Sequence, residues 1–203
     1  MFLKQLWLFL SIAAALAGGQ ADAGDWFDRH GRAPVGDRVY VCHGYTCRVV
    51  TPVSLSAAEI GRIVAPLLGA TGNADAERQA LSRSVAIFEN IVGARIGTSG
   101  DLPAMQFGQG RDDQMDCIDE ATNTTSLLRL LADRGALKHH RVLQPTARGF
   151  LLDGRYPHAT AVLAEAGSGR KWSVDSWPRG NGEAPVIMPL SQWFRQRTSA
   201  LPS

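Results

Sequence analysis

With 203 residues, 45% of them hydrophobic and 20% charged, the chain can bury one sizeable core and is short for two domains. A formal net charge of +2, carried by scattered basic residues that never form a run, argues against nucleic acid or an anionic membrane surface as partner. The proportions are those of an ordinary globular protein and exclude collagen-like, low-complexity and disordered classes.

The first segment, MFLKQLWLFLSIAAALAGGQADA, places Lys4 ahead of an apolar run from Leu6 to about Ala17 and closes on Ala21-Asp22-Ala23. Run length, flanking charge and the small-residue site predict a signal peptide over 1–23 rather than an anchor. The run falls short of the roughly 20 residues of a membrane span. No later segment is long and apolar enough to span, so no stable membrane span is expected after removal of the signal. The expected mature chain, 24–203, is a single exported domain in a periplasmic or secreted, oxidising setting.

Residues 24 to 38 are polar and Gly-rich and are expected to wrap the surface. In VYVCHGYTCRVV, two β-rich runs at about 39–43 and 46–50 flank a Gly-containing connection, predicting a hairpin. Cys42 and Cys47 would meet across it as a disulfide, the state an oxidising compartment favours. The alternatives are free thiols or a metal held by Cys42, Cys47 and His43; no second ligand pair has zinc-site spacing, and no metal or cofactor is expected. The pairing leaves Cys117 as an odd cysteine that needs an explanation.

Ser56 and Glu59 form a capping box that opens a helix to about Leu68, with Pro66 near its end. A second helix is expected from about Asp75 to Ala94, with Leu81, Val85, Phe88 and Val92 on one face. Residues 97 to 115 read as a long loop, of the length that is often functional. A third helix is expected from Cys117 to Asp133, with Asp116 as N-cap, Ile118, Ala121, Leu128 and Leu131 at helical spacing, and Gly135 as its stop. Strand-like runs follow: HHRVLQP, RGFLLD, HATAVLAE and KWSVDSW, with EAGSGR turning between the last two. APVIMPLSQWF reads as an edge strand and a short helix. The whole predicts an α+β fold with N-terminal helices packed against an antiparallel sheet.

Cys117 opens a helix, where backbone N–H groups and the macrodipole favour a thiolate. His158 opens one strand and Asp175 closes the next. An antiparallel hairpin would bring them together at one sheet end, as an imidazole and its orienting carboxylate require. Taken singly, each residue also has a plainer reading: a small buried hydrophobe, a structural histidine, a turn aspartate. Asp116, Asp119 and Glu120 crowd the cysteine and oppose the helix dipole. The oxyanion donor is expected from the N–H of Cys117 or a loop glutamine, with Gln114 nearest in sequence and Gln106 and Gln109 as alternatives. Adjacent His139 and His140 point to opposite faces of a strand and do not share a metal. Trp177 either shields the triad or belongs to the core. Asp153-Gly154 and Tyr156-Pro157 shape the approach to His158, and Arg129, Arg134, Lys138 and Arg141 read as solvated.

The blocks MDCIDEATN, PHATAVLAE and WSVDSW together resemble the core of the transglutaminase-like cysteine protein superfamily over about residues 80 to 177. Cys117, Asp119 and Ala121 match its first block, His158 and Val162 its second, Trp172 and Asp175 its third. Met115 and Asp116 stand where many members carry glycine, and Ala159 and Thr160 where an aromatic is common. The resemblance implies a papain-like core, with Cys117 as nucleophile, His158 as general base and acid, and Asp175 as orienting carboxylate. The expected activity is cysteine-dependent chemistry on an amide through a thioester, as a peptidase, amidase or acyl transferase without a cofactor. Its substrate would be a peptide or protein amide, with cell-wall peptide one candidate. The competing expectation is a catalytically inactive binding or assembly module of the cell envelope that keeps the fold and buries Cys117.

Overall fold

The computed structural model describes residues 26–70, 72–106, 110–149 and 157–196. The expected signal peptide, Gln109, the Asp153-Gly154 turn and Tyr156 lie outside the described residues. In chain order the elements are α1 (Trp26–His30), β1 (Arg38–His43), β2 (Val49–Ser54), α2 (Ala57–Leu68), α3 (Ala74–Ile96), α4 (Cys117–Asp133), β3 (His140–Arg148), β4 (His158–Glu165), β5 (Lys171–Asp175), β6 (Val186–Pro189) and α5 (Leu190–Arg195). Strands β3-β4-β5-β6 form one antiparallel sheet in sequence order, and β1-β2 a separate hairpin. The expected α+β class and antiparallel sheet are present. Among the described residues no helix is long and apolar enough to cross a membrane.

The caps were written into the sequence. Ser56 and Glu59 make the reciprocal capping box of α2. Asn73 accepts from the Ala76 N–H at 2.9 Å and opens α3. At the end of α4, Gly135 takes φ +62°. Its N–H reaches the Ala132 carbonyl at 2.8 Å and that of Ala136 the Leu131 carbonyl at 2.9 Å, a Schellman stop.

Three boundaries depart from the reading above. Residues 26–30 are helical, and Phe27 is fully buried beneath the Arg129 guanidinium at 3.9 Å, so this stretch does more than wrap the surface and Arg129 is not simply solvated. Arg134 pairs with Asp37. The second hairpin strand begins at Val49 rather than 46, because Gly44 to Cys47 all take positive φ and form a left-handed turn that cannot join a ladder. HHRVLQP and the start of RGFLLD belong to one strand, β3, whose register shifts between Leu143 and Thr146, around Pro145. A bulge is where a residue without an N–H is tolerated inside a sheet.

Helix α4 is the centre of the molecule. Ala161 and Leu163 of β4 and Val174 of β5 share one buried cluster with Leu127, Leu128, Leu130 and Leu131 of α4 and with Val39 and Val41 of β1. The helix is therefore covered by the sheet on one side and the hairpin on the other. Its polar residues Thr122 to Ser126 are buried as well, beyond the apolar stripe read from spacing. Asn123 accounts for one of them: its amide accepts from the Cys42 N–H at 2.7 Å and donates to the Cys42 carbonyl at 2.8 Å. One side chain thus closes both main-chain groups of a strand residue against the helix. Far from this contact, Glu77 of α3 accepts from His140 Nδ1 at 2.8 Å. Arg78 donates to His140 Nε2 at 3.0 Å and to Glu165 at 2.8 Å, tying α3 to the sheet. His140 is buried and structural.

Replacing Asn123 by alanine leaves a buried donor and a buried acceptor on Cys42 without partners. The expected loss is about 2–4 kcal/mol of stability, read from urea unfolding at constant m.

Candidate active site

The site grows from the buried start of α4. Asp116 is the N-cap; its Oδ1 accepts the N–H groups of Ile118 at 3.0 Å and Asp119 at 2.9 Å, and Asp119 accepts that of Asp116 at 3.2 Å. The same two carboxylates reach across to the hairpin turn. Asp119 accepts from Tyr45 N–H at 2.8 Å and Cys47 N–H at 2.6 Å, and Asp116 from Thr46 N–H at 3.1 Å. Tyr45, Thr46 and Cys47 hold φ of +70°, +56° and +54°, a conformation costing an L-residue roughly 1–2 kcal/mol. Charge-assisted bonds and the Cys42–Cys47 disulfide hold it in place. The disulfide forms as expected, between a strand residue and a turn residue rather than across two strands. His43 is spent on the Asp112 carbonyl at 2.7 Å and Thr51 Oγ1 at 2.9 Å.

Cys117 is the first residue of α4 and the one free cysteine. Its sulfur lies against the backbone on both sides of His158, 3.8 Å from the Pro157 carbonyl and accepting from the Ala159 N–H. His158 Nε2 meets Asp175 Oδ2 at 2.7 Å. The register Ala161↔Val174 sets β5 so that Asp175 falls diagonal to His158 on one sheet face. His158 Nδ1 hydrogen-bonds no described residue. A carboxylate only accepts, so Nε2 carries the proton and Nδ1 offers a lone pair. Cys117 and His158 line one cleft of about 610 Å³, together with Gly44, Tyr45, Gln106 and Ala159.

Of the two candidate glutamines among the described residues, Gln106 and Gln114, only one borders that cleft. The Gln114 amide accepts from Leu102 N–H at 3.1 Å and donates to the carbonyls of Gly100 at 3.0 Å and Asp113 at 3.1 Å. It braces the preceding loop and is not available as an oxyanion donor. Gln106 lines the cleft with Cys117. Its loop is held by Trp177, whose Nε1 donates to Met105 O at 3.1 Å and whose carbonyl accepts from Ala104 N–H at 2.7 Å. Trp177 also covers the His158 ring, centroid to centroid 4.6 Å.

Sequence reasoning missed Trp193. This fully buried indole of α5 donates from Nε1 to Asp175 Oδ2 at 2.7 Å, and Arg148 lies 4.2 Å over its face. The terminal run PLSQWF signalled a helix, and nothing in its spacing tied that helix to the aspartate.

The electrostatics are strongly acidic. Burial first, then the Asp116 carboxylate, pushes the Cys117 thiol up to about 12, so the resting sulfur is protonated. Behind it, burial raises Asp119, Asp101 and Glu89 each to about 7. Glu120 is driven well above the ordinary carboxylate range by burial and then by Glu89. Asp119 is raised despite its three backbone donors. Glu77 moves the other way: bonds from His140 and the Lys138 and His139 N–H groups outweigh its burial and lower it.

No protein-family model, curated protein or solved structure matches the chain.

Carboxyls raised in the folded state bind protons that the unfolded chain releases above about pH 4–4.5. Their contribution is complete below that pH and is lost as pH rises through about 7. The lowered Glu77 acts oppositely and only in acid. The melting temperature is expected to be lower at pH 8 than at pH 5 by roughly 5 °C or more. Glu120→Gln should flatten that slope, as scanning calorimetry across this range would reveal.

Proposed function

We propose that the chain is an exported, transglutaminase-like cysteine enzyme acting on peptide or protein amides, with Cys117, His158 and Asp175 as its triad. The observation that carries this reading is the 2.7 Å His158–Asp175 bond, which leaves Nδ1 without a bond to any described residue while His158 and Cys117 line the same cleft. Helix, sheet and triad order support a papain-like core. The disulfide and the apolar, A-x-A-terminated leader support a periplasmic or secreted location.

The chemistry starts from a neutral pair. As Sγ attacks the carbonyl carbon, His158 Nδ1 takes the thiol proton and Asp175 holds the imidazolium through Nε2–H. The carbonyl π electrons move onto oxygen, for which the donors in this mechanism are the Cys117 N–H and, because Gln106 lines the same cleft, the Gln106 amide. Collapse re-forms the carbonyl and breaks the C–N bond, and the amine leaves with the proton from Nδ1. Water or a second amine then attacks the thioester with its proton passing to Nδ1, and Cys117 leaves as the restored thiol. No step uses a metal or cofactor. A base acting during attack suits a thiol whose acidic surroundings oppose a standing thiolate.

That same raised thiol favours a second reading, a binding module in which Cys117 is inert, and labelling separates the two. Iodoacetamide is expected to alkylate Cys117 of the wild type about 100-fold faster than in His158→Ala. Equal rates in the two proteins favour the inert module. Once a substrate emerges from a screen of envelope peptides, Cys117→Ala should abolish its cleavage. Gln106→Ala should lower kcat by roughly 10²–10³-fold with KM little changed. Cleavage retained in the alanine variant of Cys117 would remove the nucleophile assignment.

A further inference from the structure

We infer that Trp193 is a positioning residue of the triad: its indole N–H fixes the Asp175 carboxylate, and its ring walls in the His158 imidazole. This rests on the triad reading above. Asp175 Oδ2 accepts two N–H groups, His158 Nε2 and Trp193 Nε1, each at 2.7 Å. Two donors on one oxygen leave the carboxylate a single orientation that serves both. Its other oxygen, Oδ1, is buried and bonds no described residue, so turning the carboxylate would exchange two good bonds for none.

The rings add a second constraint. Two indoles pack near the imidazole, Trp177 with its centroid 4.6 Å away at 39° and Trp193 5.4 Å away at 41°. Their bulk restricts rotation of the His158 side chain, which keeps Nε2 on Asp175. The Arg148 guanidinium lies over the ring of Trp193, and Arg148 sits directly across from His158 in the β3–β4 register. Helix α5, the last described element, thereby becomes part of the catalytic apparatus without touching the cleft.

The indole N–H also tunes the base. Sharing Oδ2 with Trp193 divides the carboxylate's accepting capacity, so it stabilises imidazolium less than an unshared oxygen would. The other charged or titratable groups around the pair are Arg148 from β3, and Cys117 and Glu120 from α4. Trp193→Phe leaves all of them in place and keeps a ring in the stack, while removing one N–H.

The test is the pH profile of Cys117 alkylation by iodoacetamide in wild type, Trp193→Phe, Leu190→Ala and His158→Ala. Leu190 packs in the same small cluster as Trp193 and Val162 and donates nothing to Asp175. Trp193→Phe is expected to move the acidic midpoint up by about 0.5 pH unit or more and to lower the plateau rate about tenfold. Leu190→Ala should lower the melting temperature and leave the midpoint unmoved. A wild-type profile in Trp193→Phe, with His158→Ala strongly slowed, overturns the role of Trp193 and leaves the triad standing. His158→Ala matching wild type removes the triad and this proposal together. Should Trp193→Phe fail to fold, the wild type supplies the answer by proton NMR. The Trp193 indole N–H resonance should titrate in step with the His158 ring signals, and an indole signal blind to that titration overturns the inference.

Discussion

The start of helix α4 lies inside the protein, and a buried helix start must have its N–H groups satisfied. Asp116 and Asp119 do this, and the same carboxylates collect the N–H groups of Tyr45, Thr46 and Cys47. One pair of side chains therefore fixes the end of the helix, the left-handed turn of the hairpin and the wall of the cleft. Asn123 repeats the coupling two turns along by closing both main-chain groups of Cys42. The disulfide then locks the turn that the carboxylates hold. Remove the acids and the cysteine at the first turn of α4 loses its frame.

That frame sets the chemistry of the thiol. Carboxylates close enough to organise the turn are close enough to oppose a thiolate, and burial adds to them. The architecture thus favours the protonated thiol over a thiolate. Glu89, Asp101 and Glu120 are raised as well, because protonation is the form that burial tolerates. Acidity near Cys117 is the consequence of how this fold anchors its central helix.

Orientation of His158 comes from a different set of elements. β4 carries His158, β5 carries Asp175, and α5 returns Trp193 to the back of the pair. Trp177 holds the front of the ring and the loop bearing Gln106 at once. The imidazole is positioned by two packed indoles and by one short hydrogen bond. Cys117 is positioned by caps.

Much of this was legible in the residues because it is local. Ser56 with Glu59, Asp116 and Gly135 mark helix ends by interactions that span a few positions. Cys42 and Cys47 in one hairpin predicted their bond, and the turn between β4 and β5 predicted that His158 and Asp175 would meet. What was misjudged depended on the far side of the chain. Phe27 is buried because α4 offers it Arg129, and the second hairpin strand starts late because Asp119 captures the turn. Gln114, nearest the cysteine in sequence, is consumed by the Gly100–Leu102 segment, whereas Gln106 reaches the cleft because Trp177 holds its loop there. By itself the sequence determined the capping box of α2, the Asp116 cap and Gly135 stop of α4, and the antiparallel pairing that brings His158 to Asp175, since each follows from local geometry. Only the tertiary structure decided which glutamine borders the cleft of Cys117, why acids surround the thiol and that Trp193 closes on Asp175, because those contacts join segments that no local periodicity connects.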